Sequence, residues 1–185
     1  MIICGYQGIG KSSLAKSCLI ENEIPVIDLE SGNFWIDGKR SDDWYKIYAN
    51  IAVHLSKQGN IVMLSSHKNV RDYLYQMNSG ERLATIYPAM ELKDRWINKL
   101  ESRYIFTKKD KDYKALMNAK EMYEENIQDL STQVGFDHIE LTSIGYLLET
   151  TIETYISVSR IFTNEERVFS LNDYTIILKG RDNNG

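Results

Sequence analysis

The segment Gly5-Tyr6-Gln7-Gly8-Ile9-Gly10-Lys11-Ser12 constrains this chain more than any other stretch. It fits the pattern G-x-x-x-x-G-K-[ST] at every fixed position. Met1-Ile2-Ile3-Cys4 before it reads as a buried strand. The residues from Ser12 to Leu19 continue as a helix with Leu14, Ala15, Cys18 and Leu19 on one face. Glycines there let the backbone close around anionic oxygens with amide N–H groups pointing inward. The following helix adds its positive N-terminal end. A triphosphate tail is the ligand that such a cradle suits. Gly5, Gly8, Ile9, Gly10 and Ser13 would line it, Lys11 would reach the β- and γ-phosphates, and the Ser12 hydroxyl would ligate Mg²⁺. The alternative is an ordinary glycine-rich turn, and the flanking strand and helix argue against it. The chain is expected to bind ATP or GTP.

Its composition is that of one soluble domain. The 185 residues suffice for a sizeable core. A net charge of −4 argues against general attraction to nucleic acid or anionic membranes. The two cysteines, Cys4 and Cys18, read as small buried hydrophobes in a reducing cytosol, so the expected location is cytoplasmic. No signal peptide is expected ahead of the first strand, and no apolar run reaches membrane-spanning length. His54, His67 and His138 are scattered, without zinc-like spacing.

Along the chain, apolar runs alternate with helical patterns, which predicts an α/β fold with a mostly parallel sheet. After the first helix, Ile24 to Leu29 reads as strand two, and a polar loop from Glu30 to Asp42 carries Phe34 and Trp35. A helix over about 43–58 shows an apolar stripe of Trp44, Ile47, Tyr48, Ile51, Ala52 and Leu55, ended by Gly59. Strand three is Ile61 to Ser65, followed by a helix with Val70, Tyr73, Leu74 and Met77 inward. Strand four, Leu83 to Tyr87, stops at Pro88. Two helices, about 90–104 and 113–130, flank the charged segment Thr107 to Asp112. Strand five is His138 to Leu141, and a last helix packs Ile144, Leu147, Leu148, Thr151, Ile152, Tyr155 and Ile156. The tail predicts a hairpin, Val168 to Leu171 and Tyr174 to Leu178, turning at Asn172-Asp173, with a disordered end.

With those features in place, the chain resembles the P-loop nucleoside and nucleotide kinases. The phrases IICGYQGIGKSSLAK, VIDLES, VMLSSHKNVRDYL and IYPAMELKDRWINKLESRY are similar to small kinase-like proteins encoded by phages and their bacterial hosts. The resemblance implies a three-layer P-loop NTPase fold, a five-stranded parallel sheet in the order 2-3-1-4-5 with helices on both faces. It also implies an acceptor region after strand two and a mobile lid after strand four. The kinase-like domain then covers residues 1–158, with the lid at 95–114 and a C-terminal extension at 159–185. The hairpin departs from the family pattern and leaves room for a homo-oligomer assembled through it.

Several residues are candidates on the acceptor side. Asp28 ends strand two at the edge where ligands gather in open α/β sheets, placing it near Mg²⁺ or the acceptor, or making it a plain loop-capping residue. Phe34 and Trp35 could stack on an acceptor base or pack the loop. Lys39 and Arg40 could hold its phosphate or stay solvated, and Arg71 is a further phosphate candidate. Strand three ends in Ser65-Ser66-His67 with no acidic pair, which speaks against a motor-type ATPase. His67 reads as a polar residue leaving a strand.

On the lid, Arg95, Lys99 and Arg103 share one helix face and could meet the charge that develops on a transferring phosphoryl group. The alternative is ordinary surface pairing with Glu91 and Glu101, and Lys108, Lys109 and Lys111 read as solvated charges. The leading expectation is an ATP- and Mg²⁺-dependent kinase acting on a nucleotide, a nucleoside monophosphate first. Lys11, Arg95, Arg103 and Asp28 are its catalytic candidates. A hydroxyl kinase using Asp28 as base is the second reading. A binding module without acceptor kinase activity is the third.

Overall fold

The computed structural model describes residues 1–17, 19–20, 24–35 and 37–180, so the expectations for Cys18 and for the end of the tail lie outside the described residues. The first strand, β1 (Ile2–Gly5), is buried along its whole length, as a strand covered by helices on both faces must be. It lies between β4 (Ile61–Ser65) and β5 (Leu83–Pro88), parallel to both, with Cys4 opposite Leu64 and Thr85. β3 (Ile24–Asp28) extends the parallel set beyond β4, and β6 (Asp137–Leu141) extends it beyond β5. These five run β3-β4-β1-β5-β6.

The sheet is larger than the five strands expected. Three further strands joined by antiparallel pairing, β2 (Leu19–Ile20), β7 (Arg167–Ser170) and β8 (Tyr174–Leu178), lengthen it to eight, in the order β2-β3-β4-β1-β5-β6-β8-β7. The first helix, α1 (Lys11–Ser17), stops short of Leu19, because Leu19–Ile20 forms β2 and pairs with Pro25 and Ile24. At the other edge, β7 (Arg167–Ser170) and β8 (Tyr174–Leu178) form the expected hairpin about Asn172-Asp173. It is no free appendage. β8 pairs with β6, placing His138 opposite Ile177 and Leu141 opposite Tyr174. Asp137 reinforces the join, since it accepts hydrogen bonds from Arg82 Nε, the Tyr155 hydroxyl and the Lys179 amide.

Helices cover both faces. On one face Ile2, Cys4, Val62 and Leu64 pack against α2 (Trp44–Lys57) and α3 (Lys68–Met77). On the other, Ile3, Met63, Ala84, Ile86 and Ile139 pack against α1, α4 (Lys93–Thr107), α5 (Asp110–Ser131) and α6 (Leu148–Ile161). The packed stripe of α2 is rotated from the one read in the sequence: Trp44, Tyr48, Ala49, Ala52, Val53 and Ser56 are buried, whereas Ile47 and Ile51 are exposed. α6 begins only at Leu148, so Ile144 to Leu147 form the loop after β6. The charged connection between α4 and α5 is short, reduced to Lys108 and Lys109, with Lys108 in the left-handed region at φ 54°.

Candidate functional site

The parallel strands bring their C-terminal ends to one edge, and the loop after β1 lies at its centre. Gly8 and Gly10 take φ of 83° and 104°, a backbone conformation that side chains rarely adopt. At Gly8 space is also short, because a Cβ would lie 2.8 Å from Leu100 Cδ2 on α4. Lys11 folds back across the loop, its Nζ donating to Gly5 O at 3.0 Å and Tyr6 O at 3.4 Å. Burial lowers its pKa, while Asp28 and Glu30 act to raise it. The lysine is therefore half-buried within the loop, held by carbonyls that a phosphate oxygen could replace.

Beside it, the Ser12 hydroxyl donates to Asp28 Oδ2 at 2.5 Å. This joins α1 to the end of β3 and puts a hydroxyl and a carboxylate together at the mouth of the loop. Mg²⁺ takes oxygen ligands and is commonly held by one or two protein groups plus substrate phosphates. The Ser12–Asp28 pair fits that requirement. No cluster of three or more metal-ligating side chains occurs among the described residues.

In the loops after β3 and β4, Ser31, Arg40 and His67 form one hydrogen-bonded group. Arg40 Nη2 donates to Ser31 O at 2.9 Å and to Ser31 Oγ at 3.2 Å, and the His67 ring meets the same Oγ at 3.0 Å. The guanidinium lies 4.1 Å from the Trp44 ring centroid and 5.1 Å from that of Trp35. Arg40 Nε is buried with no hydrogen-bond partner among the described residues. Burial pushes His67 down to about 4, with the positive charges of Arg40, Lys11 and Arg71 adding to the effect. His67 thus belongs to the group that Arg40 builds, a role its place after a strand did not reveal.

Other expected residues are placed differently. Phe34 packs on Trp44 and Tyr48, whereas Trp35 is exposed beside Arg40. Arg71 does not open onto the loop: it is 1% exposed and donates to Ser66 O, Gln133 and Asp129. Those bonds occupy the fork that was expected to hold a phosphate. Arg95 is exposed on α4. Arg103 is paired with the buried Asp112 of α5, which also accepts from the Thr107 hydroxyl at 2.6 Å. Its charge nevertheless acts on both Lys11 and Lys99, so α4 carries cations to the loop. Lys111, at the start of α5, reaches to 3.6 Å from Glu30 just after β3.

A cavity of about 390 Å³ opens on the opposite flank of the loop. Ile9, Gly10, Ser13 and Leu14 line it from the loop and α1, Tyr146 from the β6–α6 connection, and Leu148 and Thr150 from the first turn of α6. Lys99 closes it from α4, with its ammonium 4.2 Å from the Trp96 ring centroid and 4.8 Å from that of Tyr146. Burial pulls Lys99 down to about 8, and Arg103 adds to the shift. A mainly apolar cleft touching Gly10 and Ser13 suits the base and sugar of a nucleotide whose phosphates lie in the loop.

No family model matches the chain, and no curated protein matches it. Solved structures do. A gluconokinase from Sinorhizobium meliloti 1021 is 15% identical with a TM-score of 0.50, covering 86% of this chain and 91% of that one. A shikimate kinase from Bacteroides thetaiotaomicron is 13% identical with a TM-score of 0.51, covering 88% of this chain and 96% of that one. At this identity the likeness is one of architecture, and it gives the chain the fold of these two kinases.

Proposed function

We propose that this protein is a phosphotransferase that moves the γ-phosphoryl group of ATP to a hydroxyl of a small acceptor. The observation that carries this reading is the Ser12–Asp28 hydrogen bond, which sets a carboxylate at the mouth of the phosphate-binding loop. In the reaction the acceptor oxygen forms a bond to the γ-phosphorus, the bond to the β-phosphate oxygen breaks, and ADP leaves. The acceptor proton passes to Asp28. Bound Mg²⁺, held through Ser12 with Asp28 beside it, would neutralise charge on the phosphates. Lys11 and the loop amides hold the phosphates, and Arg103 brings positive charge over them from α4.

A nucleoside monophosphate, the acceptor first expected, is less well served. Only residues 29–43 separate β3 from α2, and Phe34 is taken up in packing against Trp44 and Tyr48. The two similar structures are also named for non-nucleotide acceptors, gluconate and shikimate. The test is a screen of sugar acids, other small hydroxylated metabolites, nucleosides and nucleoside monophosphates with labelled ATP. Label transfer to a hydroxyl is the expected result. Transfer only to monophosphates would restore the earlier reading, and ATP binding without transfer to any acceptor would point to a binding module.

A further inference from the structure

Two carbonyls of the phosphate-binding loop are held by side chains that the loop's motif does not specify. Trp96 Nε1, on α4, donates to Gln7 O at 3.0 Å, and the Tyr146 hydroxyl, on the β6–α6 loop, donates to Ile9 O. The two rings stack on each other, 6.2 Å between centroids and 10° from parallel. Lys99 lies against both and donates to the Tyr146 oxygen at 3.2 Å. The Tyr146 ring is thereby held by stacking on Trp96 and its hydroxyl by a hydrogen bond from the ammonium.

A trans peptide directs each N–H to the side opposite its own C=O. With Gln7 O turned to Trp96, the Gly8 amide faces away from Trp96. With Ile9 O turned to Tyr146, the Gly10 amide faces away from Tyr146. We propose that Trp96 and Tyr146 are positioning residues that fix these two peptide planes so that the Gly8 and Gly10 amides are aimed at phosphate before it arrives. This rests on the reading of residues 5–12 as a phosphate-binding loop. Glycines flanking Ile9 make the planes easy to rotate, and an unrestrained loop would have to order them at the moment of binding. Because Trp96 and Lys99 belong to α4, the restraint also ties the helix bearing Arg103 to the loop.

The experiment measures equilibrium binding of MgATP, inorganic tripolyphosphate and adenosine to the wild-type protein and to Tyr146→Phe and Trp96→Phe. Tyr146→Phe keeps its ring and loses only the donor, whereas Trp96→Phe also exchanges a buried indole for a smaller phenyl, so circular dichroism and denaturant unfolding check that each variant keeps the fold. Expected is a three- to tenfold weakening of tripolyphosphate and MgATP binding, about the worth of one hydrogen bond, with adenosine unaffected. The same loss for Tyr146→Phe in a Lys99→Met background would show that the effect does not run through the lysine. Unchanged tripolyphosphate affinity in both variants overturns the proposal. So does a loss confined to MgATP and adenosine, which would make Tyr146 a contact for the base. Failure of the wild-type protein itself to bind tripolyphosphate or MgATP would overturn the phosphate-binding reading, and the proposal with it.

Discussion

The Ser12 hydroxyl donates to the Asp28 carboxylate at 2.5 Å, across the gap between the second residue of α1 and the last residue of β3. A carboxylate in that position can act on the metal or on the acceptor, and Asp28→Asn separates the two. It keeps size and part of the hydrogen bonding while removing the basic charge. With a hydroxyl acceptor, turnover should fall roughly 10²- to 10⁴-fold, the usual worth of a general base, and added Mg²⁺ should not restore it. Recovery on raising Mg²⁺ would instead assign Asp28 to the metal alone.

That pairing shows what was legible in the chain. The glycine-rich loop with Lys11 and Ser12 is written in consecutive residues, and Asp28 stands out by its place at a strand end. The clamp on the loop was not legible, because Trp96 is 89 residues from Gln7 and Tyr146 is 137 from Ile9. Tyr146 also sits in a stretch whose apolar spacing imitates the start of α6. The same distance problem hid the pairing of β8 with β6. A hairpin's own turn can be read locally, but the edge it joins cannot. Arg71 failed for another reason. An arginine near a ligand edge looks the same in sequence whether it faces a phosphate or, as here, the buried Gln133 amide and the partly exposed Asp129 carboxylate.

Lys11→Met should abolish phosphoryl transfer without unfolding the protein. Lys11 bonds only to loop carbonyls among its described partners, at 3.0 and 3.4 Å, and its burial already disfavours its charge. Removing that charge should leave thermal stability without nucleotide within about 1 kcal/mol of wild type. A loss as large as that of a core truncation such as Leu100→Ala, measured by denaturant unfolding, would contradict this.

The ion pair of Arg103 with Asp112 and the role proposed for it over the phosphates can be separated by variants. Asp112 is 2% exposed, whereas Arg103 is 45% exposed, so solvent already screens part of their attraction. Arg103→Ala leaves a buried carboxylate with the Thr107 hydroxyl, and should cost about 1–2 kcal/mol of stability, less than a fully buried pair. It should also lower turnover by at least tenfold with a smaller change in ATP affinity. Adding Asp112→Asn should recover stability but not turnover. Recovery of both would make Arg103 a structural link between α4 and α5.

His67 supplies a pH dependence whose sign is fixed by the direction of its shift. Its value of about 4 in the fold lies below the ordinary 6.5 that it regains on unfolding. Between those values the unfolded chain binds the extra proton, so stability present above pH 6.5 is lost as pH falls toward 4. The group facing His67 comprises the Ser31 hydroxyl, the Trp44 edge and the charges of Arg40, Lys11 and Arg71. His138 behaves in the same sense, mainly through burial. His67→Gln should flatten the acid limb of the stability curve by at most about 3 kcal/mol, leaving the part due to His138. An unchanged acid limb in urea unfolding between pH 4 and 7 would show that His67 takes up its proton as readily in the fold as in the unfolded chain.

Arg40 tests where the acceptor binds. Its guanidinium is set by two bonds from one nitrogen to Ser31 and by stacking on Trp44, geometry that a lysine ammonium cannot reproduce. If the Ser31–Arg40–His67 group receives the acceptor, Arg40→Ala should raise the acceptor KM about tenfold or more while the ATP KM stays within about twofold. Arg40→Lys should recover little, because the planar stacking on Trp44 is lost even though the charge is kept. The measurement is a pair of KM determinations with the acceptor found by the label-transfer screen. Full recovery by lysine would reduce Arg40 to a point charge. A rise in the ATP KM alone would move the acceptor away from this group, and place Arg40 with the residues that hold the nucleotide.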